Sequence, residues 1–336
     1  MPTGTYISYT STVTLAASDQ SINASSSSTF FNGTTTPATN TILVGTNSAT
    51  SGTASSSAAQ PSNTTPCNGY VEFCNRQYSN ITMVTAHNSP FTNANNAARN
   101  QEYGVIAQLN DGVRMLQGQT HLENGTMWFC HTSCSLLNAG TVESYLAEVT
   151  QWLSAHPYEV VTILLGNSDY TTVQVNSYVS PLENSGITRY AFIPPKIPMT
   201  LGDWPTLGEL ILTNKRAIIF MDYNANQTAV PYILDEFSQM WETPYSPTDP
   251  AFPCTIQRPP GLKDTEGKNW LYMANHNLNT NLTLLGFSLL VPNTVDINTT
   301  NSELTNATST LQVASDNCAG RLIFPSPRTT ILPKLC

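Results

Sequence analysis

Hydrophobic and polar positions change their period several times along the 336-residue chain, and each change marks an element. Residues 81–87, ITMVTAH, are a β-branched run ending in a histidine. A helix is expected across 100–109, after which Asp111-Gly112 turns the chain into a second strand, VRMLQGQTH, over 113–121. Asn124-Gly125 is a hairpin pair that folds MWFC back onto that strand. Val142, Leu146, Val149 and Leu153 then recur at helical spacing, with Thr141 placed to N-cap and Pro157 to stop the helix. VVTILL at 160–165 and AIIFM at 217–221 are unbroken apolar runs, as strands buried on both faces of a parallel sheet require. Residues 232–241 read as a further helix and WLYMANHNLN, 270–279, as a further strand.

Strand and helix alternating in this order predict right-handed crossovers and a parallel sheet. Residues 66–336 suit one large domain, since a (β/α)8 barrel commonly takes about 250 residues. An open doubly wound sheet has the same local pattern, but no Gly-x-Gly-x-x-Gly loop follows any strand. His87 and Asn88, Gln117 to His121, Asn167 and Asp169, Asp222, and Asn275 to Asn277 all fall just past strand ends. In a barrel such positions meet at one mouth, where these folds do chemistry.

Composition divides the chain further. Only 10% of residues are charged, and residues 1–65 hold a single charge, Asp19, while Ser, Thr and Asn fill 35 of those 65 positions. Too little apolar surface exists there to offset the entropy of ordering, so 1–65 is expected to be a disordered, O-glycosylated stalk, with a plain flexible linker as the alternative. The domain is expected over 66–320, followed by a basic tail over 321–336 that carries Arg321, Arg328 and Lys334. That tail contains three prolines, which interior strands tolerate poorly, so it is expected to stand in for the last barrel strand or to leave it missing. A net charge of −9 excludes a nucleic-acid binder, which needs a basic surface.

Nine Asn-x-Ser/Thr sequons, at Asn23, Asn32, Asn63, Asn80, Asn124, Asn226, Asn281, Asn298 and Asn306, point to secretion and an extracellular or cell-surface location. No signal peptide is readable at Met1, so the start is expected to lie inside a longer precursor, and no apolar run reaches the ~20 residues of a membrane span. Cys67/Cys74 and Cys130/Cys134 are spaced for small disulfide loops and Cys254/Cys318 for a long one, among the 15 connectivities of six cysteines. Cys336 is left over. Zinc is the rival use of Cys130-His131-Thr-Ser-Cys134, but no second ligand pair stands at finger-like spacing, so no metal site is assigned.

Five histidines remain: His87, His121, His131, His156 and His276. His156 precedes a helix-stopping proline and reads as a surface residue; His276 is either structural or a mouth residue. His87 and His131 end successive strands, and two imidazoles facing each other across a mouth can act as general base and general acid.

TAHNSPF, GVRMLQGQTH, WFCHTSC and EVVTILLGN, in that order over roughly 67–320, resemble the X region of phosphatidylinositol-specific phospholipases C, most closely secreted fungal PLC-like phosphodiesterases. The resemblance implies a distorted (β/α)8 TIM barrel, an α/β fold, that cleaves a phosphodiester. His87 falls on the family's first catalytic histidine, which takes a proton from the inositol 2-hydroxyl, and His131 on the second, which protonates the departing alkoxide. Asn88, Arg114, Gln117, Gln119, His121, Asp222 and Asn275 are the expected substrate contacts. The resemblance also implies a cation for the phosphoryl charge, either an arginine or calcium. Gln117 and Gln119 stand where relatives carry charged residues, and the third carboxylate position falls near Gly166. Calcium, which takes 6 to 8 oxygens including carboxylates, is therefore poorly served, although Asn88 matches one of its ligands. Arg114 lies outside the catalytic arginine's position, and an ion pair within the barrel is its competing role.

The activity expected is that of a phosphoric diester hydrolase, acting as a monomer on a phospholipid or glycerophosphodiester at or near a membrane surface. The alternative is a secreted surface-binding glycoprotein that retains the barrel without turnover. A glycerophosphodiesterase or sphingomyelinase D type of hydrolase is a third reading, but it needs metal-binding carboxylates where this chain has glutamines.

Overall fold

β-branched runs and short apolar runs pair much as their patterns require. The structure, a computed structural model, describes residues 4–9, 11–14, 64–96, 98–284, 287–305, 307–321 and 330–334. In chain order its strands are β1 Val13–Thr14, β2 Met83–Ala86, β3 Met115–Glu123, β4 Thr126–Cys130, β5 Asn138–Thr141, β6 Val161–Asn167 and β7 Lys196–Ile197. They continue with β8 Ala217–Met221, β9 Leu234–Asp235, β10 Met240–Glu242, β11 Leu271–Met273, β12 Asn279–Leu284, β13 Phe287–Pro292 and β14 Thr330–Lys334. The principal sheet runs β10-β11-β14-β2-β3-β6-β8-β9, every step of it parallel. β3 and β4 form the antiparallel hairpin expected around Asn124-Gly125, with Glu123 opposite Thr126.

The fold is thus mixed α/β with a parallel sheet. Among the described residues no ladder joins β9 to β10, so backbone hydrogen bonds do not close the sheet into the expected barrel. Side chains alternate between two clusters, as period 2 dictates. Val161, Ile163, Leu165, Ile219 and Met221 pack with α1 (Val105–Asn110) and α2 (Val142–Ala155). Met83, Met115, Leu164, Phe220, Leu234, Met240, Leu271 and Met273 meet in a second cluster. α2 begins as its sequence requires: Thr141 caps it by accepting from the Ser144 N–H at 3.0 Å.

The helix expected over 232–241 is replaced by β9, a single 3-10 turn at Glu236–Ser238 and β10. Every residue from 232 to 243 is buried, and a segment with no face in water gains nothing from an amphipathic helix. The three expected disulfides, Cys67–Cys74, Cys130–Cys134 and Cys254–Cys318, are formed.

Parts of both ends lie on the domain. Within 1–65, residues 4–9 and 11–14 lie on the domain and β1 pairs with β7, whereas the body of the expected stalk, 15–63, falls outside the described residues, with Asn23, Asn32 and Asn63. In the tail, Thr330–Lys334 occupies the place between β11 and β2, with Pro333 opposite Thr85, so that strand position is filled. Cys336, Arg328 and Asn306 also fall outside the described residues. Among the described residues no helix is long and apolar enough to cross a membrane.

Candidate active site

The C-terminal ends of β2, β3, β6, β8, β10 and β11 line one cavity of about 220 Å³. His87 stands on its wall just after β2. Asn88, at φ +50°, turns back so that its Nδ2 donates to His87 Nε2 at 3.0 Å and to Asn100 Oδ1 at 3.1 Å, which leaves the ring proton on Nδ1. Gln101 Nε2 donates to the His87 carbonyl at 2.6 Å. Burial, and secondarily the neighbouring His131, lowers the His87 pKa to about 3.

His131 follows β4 inside the loop closed by Cys130–Cys134, a covalent ring that fixes where the imidazole emerges. Its N–H donates to the Leu137 carbonyl at 2.9 Å, and its ring meets Phe91 edge-on at 5.2 Å. Burial lowers its pKa too. His131 is thus close enough to disfavour a charge on His87, although it does not line the cavity, and both imidazoles are neutral at pH 7.

Gln117 and Gln119 line the cavity, but both amides are engaged. The Asn88 N–H donates to Gln117 Oε1 at 2.9 Å, while Gln119 Nε2 donates to the Tyr245 hydroxyl at 3.4 Å. Gly166 lines the cavity opposite them, and a Cβ there would stand 3.2 Å from the Gly118 carbonyl oxygen. Asp222 is held through Oδ1 by the N–H groups of Asn167 and Tyr223, at 2.7 and 2.8 Å, and burial raises its pKa to about 6. Asn275 Nδ2 donates to Glu242 Oε2 at 3.2 Å.

Asn88 adjoins His87 without lining the cavity, and two further expected contacts are not brought here. Arg114 enters β3 from the opposite end, where its Nε donates to Glu159 Oε2 at 2.7 Å and its guanidinium lies 5.1 Å from the Trp152 ring centroid. An arginine before the strand points to the sheet's N-terminal side, so its role is the ion pair. His121 lies farther along β3, and its Nδ1 meets Asp169 Oδ1 at 2.9 Å, outside the cavity lining. His276 is structural, with Nε2 donating to the Thr300 carbonyl at 2.8 Å, and His156 stacks on Trp152 at the end of α2.

The charged groups missed from sequence are Glu236, Glu242 and Arg258, joined by Tyr170, Tyr223 and Tyr245. Arg258 Nε and Nη2 both donate to Glu242 Oε2, and Arg258 Nη1 donates to the Tyr223 hydroxyl at 3.2 Å. Glu236 lies against Glu242 in the pocket wall, and burial, then Glu242, raises its pKa well above the ordinary range. The pocket therefore carries a fixed cation on the wall formed after β9 and β10. One signal was available: Glu242 follows the short apolar pair Met240-Trp241 just before Pro244, the same strand-end placement that marked Asp222. Reading 232–241 as a helix hid it.

The donors do not fit calcium. Asn88 Oδ1 is buried without a partner, but Gln117 Oε1 is spent on the Asn88 backbone. Among the described residues no three His, Cys, Asp or Glu side chains are grouped as a metal site requires.

The family model described as PI-PLC X 1 matches residues 73–332. An Arthroderma benhamiae protein named "Uncharacterized secreted protein" is 57% identical over 243 residues, which is 72% of this chain and 54% of that protein, so the chain spans about half of that relative's length. From the same fungus, "PI-PLC X domain-containing protein 1" is 45% identical over 238 residues, 70% of this chain and 75% of that protein. Among solved structures, a double mutant of the Staphylococcus aureus phosphatidylinositol-specific phospholipase C aligns with a TM-score of 0.44 at 11% identity, covering 77% of this chain and 86% of that one.

Proposed function

The chain belongs to the PI-PLC X family, and from that premise we propose that it is a secreted glycoprotein that cleaves a phosphodiester of a phosphoinositide-type or glycerophosphodiester lipid by histidine acid/base chemistry. The observation that carries this reading is His87 on the wall of a cavity that also holds a buried arginine, with His131 close enough to bear on the charge of His87. The sheet is taken as a distorted barrel, supported by the way seven of its strands supply side chains to one cluster beneath that cavity. Secretion is supported by three disulfides and by the secreted relative.

In the proposed reaction a hydroxyl of the substrate, or water, attacks phosphorus as neutral His87 takes its proton on Nε2, where that hydroxyl replaces the Asn88 amide as hydrogen-bond donor. The bond to the leaving alkoxide breaks, and protonated His131 supplies the proton that the alkoxide needs. Both rings are neutral before substrate binds, so His131 must be charged by the substrate: an anionic phosphodiester between the imidazoles favours protonating one of them. Arg258 offsets the charge that grows on the phosphoryl oxygens, in the role that Gln117 and Gln119 of β3 leave open here. Asp222, Asn275 and the paired glutamines are then placed to hold head-group hydroxyls.

The experiment is turnover of phosphatidylinositol, glycosyl-phosphatidylinositol and glycerophosphodiesters by wild type, His87→Ala and His131→Ala. Positioned acids and bases contribute about 10²- to 10⁴-fold, so each variant should lose turnover on that scale while still folding. A specific observation favours a second reading, a surface-binding protein without turnover: His87 has an amide rather than a carboxylate at Nε2, and a pKa near 3 makes it a weak base. Saturable binding of inositol phosphate that survives His131→Ala, with no turnover of any substrate, would establish that reading instead.

A further inference from the structure

We propose that residues 4–9 and 11–14 form a strap that completes the pocket from outside, with Tyr6 as a positioning residue for Arg258. The proposal rests on the pocket reading above only in giving Arg258 a substrate to meet.

The strap crosses the seam where β9 and β10 are not joined. At one end Val13 and Thr14 pair antiparallel with Ile197 and Lys196. Midway, Ser238 Oγ donates to the Ile7 carbonyl at 3.5 Å, and Ser238 lies in the turn between β9 and β10. At the other end the Tyr6 ring stands edge-on to Tyr223 at 5.6 Å and to Phe237 at 5.0 Å. Gly4 presses so closely on Tyr223 that a Cβ would fall 2.2 Å from the ring. Any other residue at position 4 would have to displace Tyr223 or lift the strap.

Tyr223 and Phe237 are the two aromatic residues that connect the strap to Arg258. Arg258 Nη1 donates to the Tyr223 hydroxyl, and the guanidinium lies 4.9 Å from the Phe237 ring centroid. The Tyr223 hydroxyl also hydrogen-bonds the Tyr6 hydroxyl, 3.3 Å away. The hydrogen bonds therefore run Arg258 to Tyr223 to Tyr6, from the pocket to the strap. A cation held this way loses little freedom when it meets a phosphate, which is what preorganisation contributes to charge stabilisation.

The strap lies ahead of the matched residues 73–332, so its contacts belong to this chain's own N-terminal segment. It reaches the domain through residues 15–63, and a single cut there would leave it held by these contacts alone, without the effective concentration a covalent tether supplies.

The test uses the full chain with a protease site inserted in 15–63, together with Tyr6→Phe, Tyr6→Ala and Gly4→Val. Hydrogen exchange reads the strap independently of turnover. After cleavage at low micromolar concentration, and in uncut Gly4→Val, exchange at 196–199, 221–223 and 236–239 should rise, and excess synthetic peptide 4–14 should reverse it in the cut protein. On a phosphodiester substrate, Tyr6→Ala should lower kcat/KM about tenfold, with Tyr6→Phe recovering most of that loss through retained packing. Unchanged exchange in both the cut protein and Gly4→Val would overturn the strap. Risen exchange with kcat/KM unchanged in Tyr6→Ala would overturn the positioning role. If wild type turns over no substrate, the pocket reading fails, and exchange together with inositol phosphate affinity in Tyr6→Ala decides the strap and its hold on Arg258.

Discussion

At the scale of single residues, burial rather than charge pairing sets the pocket's protonation. Asp222 lines the cavity with its pKa raised to about 6, because the cost of desolvation exceeds the help of two N–H donors. A group raised in this way is neutral below about pH 6 and ionised above it. If an ionised Asp222 orients a head-group hydroxyl, kcat/KM should rise through pH 6, and Asp222→Asn should remove that limb while lowering activity to a pH-independent plateau; initial rates from pH 4.5 to 8 check it. The same arithmetic with opposite sign applies to His276, whose burial lowers its pKa to about 4 from 6.5. The unfolded chain binds that proton first, so its contribution to stability is complete above pH 6.5 and is lost as pH falls towards 4. Thermal melts should show that acid-side loss reduced in His276→Gln. Of these residues, His87, His131, Asp222 and Asn275 were legible because each follows a strand whose pattern is plain. Glu236, Glu242 and Arg258 were not, because the strands beside the two glutamates are two or three residues long, Arg258 lies in no strand, and their meaning comes from partners far away in the chain.

Among elements, legibility followed the length and regularity of the apolar pattern. α2 carries four core residues at helical spacing between a capping threonine and a stopping proline, and it forms as Val142–Ala155. AIIFM becomes β8 without adjustment. The segment 232–241 offered the same apolar density but is buried all round, and single-sequence periodicity does not separate a short central strand from a helix when no polar face exists. The tail shows the limit of a propensity rule: proline disfavours an interior strand, yet Pro333 lies within β14, between β11 and β2. The N-cap gives a direct check at this scale. Thr141→Ala removes the acceptor for the Ser144 N–H and should cost about 1 kcal/mol in urea unfolding, with Thr141→Ser close to wild type.

For the whole molecule, the scarcity of charge that marks the sequence is resolved by where charges are spent. Only 10% of residues are charged, yet Asp222, Glu236, Glu242 and Arg258 share one pocket wall. The low-charge surface and three disulfides suit a secreted chain, and the longest bridge does the most for its stability. Cys254–Cys318 spans a separation of 64 residues, so its loss from the unfolded state's constraints is worth about 4 kcal/mol. A Cys254→Ala/Cys318→Ala double variant should unfold at markedly lower denaturant, and the effect should exceed that of removing Cys130–Cys134, whose separation is 4. The central claim is that this domain breaks a phosphodiester with His87 and His131. Phosphorus NMR of phosphatidylinositol micelles incubated with the purified protein tests it most directly. The account predicts a new inositol phosphate resonance that grows with wild type, is unaffected by chelating calcium, and is absent with His87→Ala. A spectrum that stays unchanged with wild type, or that grows equally with His87→Ala, would contradict it.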